Sequence, residues 1–424
     1  MRPNRSALGV KKVFFKTFGC RTNIYDSQVM MSSMKDYEVT LNESEADAIV
    51  INSCTVTNGA DTNVRAYISS VEKEGHGAKV FLTGCGAHTK GESLLKEGRI
   101  HGVFGQSEKE KIDSLLKKEQ PFYDPGDLNH IDDVIVDDFV GKSRAFIKIQ
   151  EGCNFRCSYC IIPFVRGDAR SMSESRILEQ IERLALNGFG EFILTGTNVG
   201  SYGQDTKTSL ASLMKKMSQI RGVRRIRLGS VEPIQITDEF KEILGEPWME
   251  KHMHIALQHT SPKMLKLMNR RNVFKQDKEL FELLSSKGYA IGTDFITGHP
   301  GESEELWSEA MANARDLPLT HLHAFTYSKR DGTPSATMKP EVNGKVAKQR
   351  LHEIQDLINM KNYEFRKAVT GELEVLIESQ KDGLYQGLDQ YFNKIIVDSK
   401  EDLIGNWITI KDYEVKKEMN YANI

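Results

Sequence analysis

Short apolar strand patterns alternate with amphipathic helical patterns along most of the chain, and this alternation constrains the fold more than any other feature. In the first series, TNIYDSQVMMSSM and EKEKIDSLLKK have helical spacing, and the strand patterns are KKVFFKTFGC, ADAIVINSC, AKVFLTGC and GVFG. Strands that alternate with helices in this way build a parallel sheet. We therefore predict an N-terminal parallel-sheet α/β domain over residues 1–125.

A second series of alternating patterns begins near Ser143. It contains helical patterns such as SESRILEQIERLALNG and six strand patterns: AFIKIQEG, GEFILTGTN, RRIRLGS, MHIALQH, YAIGTDFITG and LHAFTYS. Six consecutive βα units predict a partial (β/α)6 barrel over residues 143–340, because the closed barrel needs eight units. Active sites on such barrels form from the loops at the carboxyl ends of the strands.

The remaining segments complete an α/β chain with a small all-β end. The segment from Pro121 to Val140 has six aspartates, two prolines and no helical period, which predicts a solvated linker. The pattern KVAKQRLHEIQDLINMKNYEFRKAV predicts a helical connection over residues 341–369. Residues 370–424 show short alternating strand patterns with glycine turns, so we predict a C-terminal β-module.

The composition of the chain indicates more about where the protein is located than about which partners it binds. The net charge of −2 over 424 residues leaves a nucleic-acid partner open, because a local basic face can coexist with a balanced total. No apolar run reaches the roughly 18 residues of a membrane span, and MRPNRSALGVKKVFF lacks the apolar region of a secretion signal. We expect a cytoplasmic protein whose six cysteines bind metal or act in catalysis rather than form disulfides.

Three cysteines, Cys153, Cys157 and Cys160, lie close together in IQEGCNFRCSYCIIPFVRGDARS, directly after the first barrel strand. The spacing Cys-x-x-x-Cys-x-x-Cys lets one loop supply three thiolates to three irons of a [4Fe–4S] cluster, and the fourth iron then accepts a small molecule. Structural zinc sites close with four protein ligands. No His or Cys follows shortly after Cys160, which disfavours a local zinc finger.

The other three cysteines end the first three strand patterns: Cys20, Cys54 and Cys85. Because the carboxyl ends of parallel strands lie along one edge of an open sheet, these thiols can converge on one point. The alternative is that they are buried structural cysteines. Neighbouring Gly and Ser residues in strand-end loops favour the first interpretation.

The three-cysteine loop after the first strand of a β/α barrel resembles that of the radical S-adenosylmethionine (SAM) enzymes. Longer segments resemble the methylthiotransferase family: FGCRTNIYDS, INSCTVTNGAD, LTGCGAH, GCNFRCSYCIIPFVRGDARS, LQHTSPKMLKLMNRR, GTDFITGHPGESEE and FTYSKRDGTPSATM. The resemblance covers essentially the whole chain and implies a methylthiotransferase N-terminal domain, a radical SAM barrel and a C-terminal RNA-binding module of the TRAM type. CTVTNGAD and LTGTNVGSYG look most like the branch that acts on threonylcarbamoyladenosine in tRNA.

This resemblance implies two [4Fe–4S] clusters with different tasks. Cys153, Cys157 and Cys160 would hold the cluster that cleaves SAM, whereas Cys20, Cys54 and Cys85 would hold a second cluster that carries a sulfur or polysulfide ligand. One SAM would supply the methyl group, and a second would supply a 5′-deoxyadenosyl radical for methylthio insertion at carbon 2 of the adenine. The implied partners are a tRNA anticodon stem-loop and an electron donor such as a flavodoxin or ferredoxin, and we expect a monomer.

Further residues are assigned to SAM and RNA. We predict SAM contacts on the rim of the barrel, although a tight turn, a rim salt bridge or a structural role explains several of them equally well: Tyr159, Thr195, Gly196, Glu232, Gln258 and Asp294. The family motifs give RNA contacts at Arg166, Arg270 and Arg271. Arg221, Arg224, Arg225 and Arg227 are interpreted as a solvated charge run paired with local Glu, and a basic rim suited to phosphate is the alternative. Tyr385, Tyr391 and Phe392 either stack on bases or fill the core of the module.

Other functions remain open at this stage. Methylthiotransferases also include enzymes for isopentenyladenosine in tRNA and for an aspartate of a ribosomal protein. A different class is a non-catalytic RNA-binding protein stabilised by zinc or an iron–sulfur cluster, which would need a metal site with four protein ligands.

Overall fold

The computed structural model describes residues 10–75, 77–132, 134–139 and 141–424. The prediction that no secretion signal is present depends on residues 1–9, which lie outside these ranges, as do positions 133 and 140 of the predicted linker.

The N-terminal part contains six strands: β1 (Lys11–Thr17), β2 (Tyr37–Val39), β3 (Ala48–Ser53), β4 (Lys79–Gly84), β5 (Gly102–Phe104) and β6 (Phe122–Asp124). They form one sheet in the order β2-β1-β3-β4-β5-β6, and every pair is parallel. Every residue of β3 is buried, as expected for a central strand with both faces covered. The predicted parallel sheet is confirmed.

Four helices cover this sheet: α1 (Arg21–Ser33), α2 (Asn58–Glu74), α3 (Gly91–Lys96) and α4 (Ile112–Leu116). Helix α2 begins at Thr57, whose side chain accepts a hydrogen bond from the Ala60 N–H, and it ends at Gly75 in the left-handed conformation. Strands β2 and β6 have three residues each and gave no pattern in the sequence. Because β6 lies inside the predicted linker, the stretch without helix or strand runs, among the described residues, from Pro125 to Arg144.

The central part contains seven strands: β7 (Ala145–Glu151), β8 (Arg170–Ser171), β9 (Glu191–Gly196), β10 (Arg225–Leu228), β11 (His252–His254), β12 (Ala290–Thr297) and β13 (His321–Thr326). They pair as β10-β9-β7-β8 and β11-β12-β13. Parallel bridges Ile226↔Met249 and Val231↔Ile255 join the two sheets. Apart from the antiparallel β8, the strands follow chain order, which is the predicted open (β/α)6 barrel.

Eight helices surround or follow the barrel strands: α5 (Ile162–Arg166), α6 (Glu174–Leu186), α7 (Leu210–Met217), α8 (Asp238–Glu242), α9 (Pro262–Leu267), α10 (Phe274–Ser286), α11 (Glu304–Asp316) and α12 (Gly344–Ala368). The barrel core includes Phe192, Phe281 and Phe295, which are fully buried. Each side chain of this size stabilises the fold by about 1.5–3 kcal/mol through burial. Tyr25 and Val29 of α1 belong to the same core, so the N-terminal part packs directly on the barrel.

The C-terminal part contains six strands: β14 (Leu373–Lys381), β15 (Leu384–Leu388), β16 (Lys394–Asp398), β17 (Trp407–Ile410), β18 (Glu414–Val415) and β19 (Asn420–Asn423). They form a mixed sheet in the order β17-β14-β15-β16-β19-β18, in which β16 and β19 are parallel. Tyr385 and Tyr391 pack in the core of this module. The module is all-β as predicted, while the exact domain limits stay a prediction.

The arginine run of β10 is placed differently from the prediction. Arg225 and Arg227 are buried rather than solvated, with 3% and 1% of their surface exposed. Arg227 donates to Glu191 and Glu250, both at 2.8 Å, and to the Asp389 carbonyl at 2.7 Å. The reason is that β10 lies inside the barrel wall, where the C-terminal module covers it.

Among the helices of the described ranges, none combines the length and apolar composition that a membrane crossing requires.

Candidate active site

The local cysteine set, Cys153, Cys157 and Cys160, lies in the loop between β7 and α5. Gly152 precedes it with φ +72°, and a Cβ at this position would lie 2.0 Å from the Asp168 carbonyl oxygen. The Cys153 N–H donates to the Gly167 carbonyl at 3.0 Å, and the Cys160 N–H donates to the Cys157 carbonyl at 3.1 Å. Glycine therefore permits the sharp turn that brings the loop back over the carboxyl end of β7.

A cavity of about 280 Å³ opens beside this loop, and all three cysteines line it. The Asn198 amide donates to the Cys153 sulfur at 3.6 Å, and the Arg270 guanidinium donates to the Cys157 sulfur at 3.6 Å. Arg270 also pairs with Glu232. We call this space the local cavity.

Four of the six predicted SAM contacts line the local cavity, namely Tyr159, Glu232, Gln258 and Asp294. Asp294 lies 3.2 Å from the His254 ring and 3.7 Å from the His323 ring. Burial alone would raise the pKa of Asp294, but these two histidines hold it well below its usual range. The carboxylate is therefore ionised and held in place.

Thr195 and Gly196 lie elsewhere. They line a second cavity, which adjoins the local cavity, and the Thr195 hydroxyl lies 3.4 Å from that of Thr22. A Cβ on Gly196 would lie 2.7 Å from the Gln150 carbonyl oxygen, so close packing of β9 on β7 accounts for this glycine. The structure does not bring these two residues to the local cysteines.

The scattered cysteine set, Cys20, Cys54 and Cys85, lies at the carboxyl edge of the N-terminal sheet. Cys54 directly follows β3 and Cys85 directly follows β4, while Cys20 comes shortly after β1. Strands β1, β3 and β4 are neighbours in the sheet. A Cβ on Gly19 would lie 3.0 Å from the Cys54 sulfur, which places the Cys20 backbone against Cys54. The predicted convergence of these strand ends is therefore present.

Arg166 needs correction as an RNA contact. Its guanidinium is buried, and its Nε donates to the Cys85 sulfur at 3.2 Å, while the other nitrogens bond to Asn23, Asp26 and Glu151. Burial acts to lower the pKa of Arg166, but the charges of Cys85, Glu151 and Asp26 raise it well above its ordinary value. Arg166 is thus a permanent buried cation beside the scattered cysteines, out of reach of RNA.

Arg270 and Arg271 differ from each other although they are adjacent. The Arg270 side chain is only 1% exposed and is held by Glu232 and the Ala256 carbonyl, so it also lies out of reach of RNA. Arg271 is exposed, with its guanidinium 4.4 Å from the centre of the Phe155 ring. Arg271 stays a predicted RNA contact.

The two cysteine sets are close to each other. Cys85 packs against Ile161 and Val165, in the segment that directly follows Cys160. Beneath them lies a buried ionic network in which Lys148 pairs with Asp26 at 2.7 Å and with Glu151 at 2.9 Å, and also with Asp132. Lys109 pairs with Asp26 and Asp132 in the same network. These ion pairs tie the N-terminal sheet, the linker and β7 together.

Both cysteine sets fit iron–sulfur clusters better than single zinc ions. A tetrahedral zinc site places its sulfurs about 3.8 Å apart, given Zn–S bonds of about 2.3 Å. In the described ranges, neither set is among the groups of ligand atoms that lie within 4.8 Å of one another. Burial raises the pKa of Cys85 and that of Cys160 to about 12, so adjacent positive charge is needed to hold either side chain as a thiolate.

The second cavity, which we call the central cavity, has a volume of about 590 Å³. Cys20 and Cys54 line it, together with residues of the barrel and Phe392 of the C-terminal module. It shares lining residues with the local cavity, namely Val56, Thr57, Thr197, Ser230 and Phe325. The central cavity therefore borders Cys20 and Cys54 directly and adjoins the local cavity that the other cysteine set lines.

Comparison with known proteins decides the family. Residues 12–105 match the "Uncharacterized protein family UPF0004" and residues 147–313 match the "Radical SAM superfamily". A Helicobacter pylori (strain J99) protein that is provisionally named a methylthiotransferase is 52% identical over 421 residues, which cover 97% of this chain and 100% of that protein. The threonylcarbamoyladenosine tRNA methylthiotransferase MtaB of Bacillus subtilis (strain 168) is 32% identical over 94% of this chain and 93% of its own length. The chain belongs to the radical SAM methylthiotransferase family.

A relative that is named for a different substrate has a similar sequence identity to this chain. The tRNA-2-methylthio-N(6)-dimethylallyladenosine synthase of Pseudothermotoga lettingae is 33% identical over 92% of this chain and 93% of its own length. Among solved structures, the radical SAM methyltransferase TsrM from Kitasatospora setae has a TM-score of 0.60 at 15% identity, with 77% of each chain covered. That likeness supports the fold. Membership of the radical SAM family implies SAM and a [4Fe–4S] cluster, and it excludes the non-catalytic RNA-binding protein.

Several residues of this methylthiotransferase site were missed in the sequence. Asn198 follows the Thr195–Gly196 pair and contacts Cys153, and its position after a barrel strand was an available signal. His254 and His323 lie on separate strands, pack on each other at 5.0 Å between ring centres, and both contact Asp294. Phe392 was considered for the β-module alone, but it stacks on His252 at 4.9 Å between ring centres. No local pattern indicated these long-range contacts.

Proposed function

We propose that this chain is a tRNA methylthiotransferase that converts threonylcarbamoyladenosine next to the anticodon to its 2-methylthio derivative. The observation that carries the proposal is the central cavity, which borders the scattered cysteine set, adjoins the local cavity and is lined by charged and polar side chains, including Arg21, Arg227, Glu250 and His252. Relatives named for this activity, in Bacillus subtilis and elsewhere, support the choice.

One charged group in the lining of the central cavity, Arg21, is not matched by a protein carboxylate among the described residues, and it favours this substrate over its apolar counterpart. A threonylcarbamoyl group carries a carboxylate, a hydroxyl and a urea, all of which form hydrogen bonds. An isopentenyl group has no such atoms, so it would leave buried polar side chains without partners, at a cost of about 1–3 kcal/mol each. The volume of about 590 Å³ lies within the range of roughly 300–1,000 Å³ of small-molecule sites.

The two cysteine sets would divide the chemistry. Clusters held by Cys153, Cys157 and Cys160 and by Cys20, Cys54 and Cys85 would supply the electron for SAM cleavage and carry the sulfur or polysulfide to be transferred. Carbon 2 of adenine has neither an acidic proton nor a leaving group, so acid–base side chains alone cannot functionalise it. The protein residues instead bind SAM, orient the base and exclude water.

Residues of the local cavity would orient SAM. Glu232 and Asp294 offer carboxylates to the amino group and ribose hydroxyls of SAM, and Gln258 and Tyr159 offer further hydrogen-bonding groups. Glu232 is fixed by Arg270, which also contacts Cys157. The same arginine thus links the orientation of the SAM site to that of the cysteine loop.

The expected partners follow from this activity. The substrate would be the anticodon stem-loop of tRNA, contacted by Arg271 and by the C-terminal module, which we assign to the TRAM type. An electron donor such as a flavodoxin or ferredoxin would reduce the local cluster. We propose that the enzyme works as a monomer in the cytoplasm.

Nucleoside analysis tests the substrate. Mass spectrometry of tRNA from cells that lack the gene should show loss of 2-methylthio-threonylcarbamoyladenosine and accumulation of its unmodified precursor, with both reversed by the wild-type gene. If 2-methylthio-isopentenyladenosine were lost instead, the substrate would be isopentenyladenosine rather than threonylcarbamoyladenosine.

A further inference from the structure

Arg21 occupies a particular position between the scattered cysteines and the central cavity. It directly follows Cys20, is the first residue of α1, and lines the cavity. In the described part of the chain, its guanidinium makes a single hydrogen bond, a 3.5 Å contact from Nη1 to the Leu228 carbonyl, and has no carboxylate within 4 Å. Most of its five N–H donors are therefore available to a ligand.

Arg227 lines the same cavity but is fully engaged. Its three nitrogens donate to Glu191, Glu250 and the Asp389 carbonyl at 2.7–2.8 Å. Glu250 is in turn held by Arg227 and by the Leu228 N–H at 2.7 Å. The charges of this pair are matched within the protein, so Arg21 remains as the cavity-lining arginine with unmatched charge.

The surroundings of Arg21 make the unmatched charge costly without a ligand. Arg21 is half-buried, and Arg227 adds a second positive charge to the lining of the same cavity. A charge that is partly withdrawn from water and lacks a partner is unfavourable, and a bound anion would supply that partner.

A second group in the central cavity also lacks a partner. His252 is buried, and its Nε2 has no hydrogen-bond partner among the described residues. The His252 ring stacks on Phe392 at an interplanar angle of 18°, and the Arg21 guanidinium lies 5.7 Å from the centre of the same phenylalanine ring. The Arg21 cation and the Phe392 aromatic face therefore lie together at the central cavity, and each is a suitable contact for part of a modified base.

We propose that Arg21 binds the carboxylate of the substrate's N6 side group and thereby selects an anionic side group over an apolar one. The inference rests on the proposed function and names the residue that would determine its specificity. Guanidinium is the suited group, because its planar pair of N–H donors matches a carboxylate bidentately. Phe392, from the C-terminal module, holds one side of the Arg21 guanidinium, so the module would take part in recognising the base.

The test compares two tRNA substrates that differ only at the threonyl carboxylate, which is a free acid in one and a primary amide in the other. Reconstituted enzyme is assayed for methylthio product with both, and kcat/KM is compared within each variant. The wild type should prefer the acid by about 100-fold, the size expected for a charge-assisted pair. Arg21→Gln should reduce this preference to less than about threefold, and Arg21→Lys should retain an intermediate preference.

Because the two kcat/KM values are compared as a ratio within one variant, a general loss of activity in that variant cancels. Arg221→Gln, at an exposed arginine outside the cavity lining, should keep the wild-type preference. A full acid preference in Arg21→Gln would overturn the inference and leave the proposed function standing. If the wild type converted neither tRNA but modified isopentenyladenosine, the proposed function would fall, and the role of Arg21 with it.

Discussion

The two cysteine sets are assembled by opposite strategies. The local set comes from one loop of eight residues, Cys153 to Cys160, and borders the smaller cavity. The scattered set comes from three strand ends between Cys20 and Cys85, and it borders the larger cavity. A loop can form its site with few outside contacts, whereas a site made of strand ends exists only when the whole sheet is folded.

A shared feature of the two sets is a buried arginine at a cysteine sulfur. Arg166 donates to Cys85 at 3.2 Å and Arg270 donates to Cys157 at 3.6 Å. Hydrogen bonds and charges near cluster sulfurs tune reduction potentials. The arginines differ in their other partners, because Arg166 belongs to the ionic network under the sheet and Arg270 holds Glu232 in the local cavity.

The largest expected effect separates the tasks of the two sets. Cys157→Ala should abolish release of 5′-deoxyadenosine after reduction, whereas Cys54→Ala should still release it but form no methylthio product. Each variant should lose about four of about eight irons. Anaerobic reconstitution with iron analysis and chromatography of the nucleoside measures both. Loss of SAM cleavage in Cys54→Ala would mean that the sets do not work separately.

Next in size is the cost of breaking the ionic network that supports both sets. Lys148→Met leaves Asp26, Asp132 and Glu151 short of a cation and should lower the free energy of unfolding by about 3–5 kcal/mol. Urea unfolding followed by circular dichroism measures it. The control is Lys96→Met, which breaks the exposed pair with Glu92 and should cost no more than about 1 kcal/mol. Equal effects would contradict a special role for the buried network.

A smaller effect concerns pH. Burial lowers the pKa of His299, which packs on Tyr159 near the local cysteines, to about 4, and that of His321, which packs on His252, to about 3. The unfolded chain binds protons at these positions near pH 6.5 and the folded chain does not, so stability falls as the pH drops from 6.5. Each histidine contributes a slope of up to about 1.4 kcal/mol per pH unit.

Two single-histidine variants show whether the pH effect arises at His299, near the local cysteines, or at His321, beside His252. Urea midpoints measured from pH 7 to pH 4 should fall less steeply in His299→Gln and in His321→Gln than in the wild type. An unchanged slope in one variant would show that its histidine titrates normally in the folded protein.

The smallest effect is expected at the surface of the local set. Arg271→Ala should reduce the salt dependence of tRNA binding by about one unit of logarithmic slope and change stability by less than about 0.5 kcal/mol. Filter binding across a salt series measures it. Arg315→Ala, an exposed arginine on α11, serves as the control, and an equal reduction there would remove the specific role of Arg271.

Much of the fold was readable in the sequence because its elements are periodic. The strand patterns at AFIKIQEG and YAIGTDFITG coincide with β7 and β12 to within one residue at either end. Strands β2 and β6 were missed because they are short and only half-buried, so they lack the continuous apolar run that identified the equally short β5. The burial of Arg225 and Arg227 was also missed, since their partners Glu191, Glu250 and Glu374 are distant in sequence.

The sequence alone determined the order of the barrel strands, because the βα patterns repeat along the chain. It also determined the local cysteine set, because covalent spacing limits how far three cysteines within eight residues can separate. Folding of the whole chain was needed to place Arg166 and Arg270 against sulfur, to divide the predicted SAM contacts between two cavities, and to bring Phe392 beside Arg21. The Arg166 and Phe392 contacts join residues from different domains, and the Arg270–Cys157 contact joins residues 113 positions apart in the barrel. Packing across domain boundaries sets such distances, and no local pattern of residues records it.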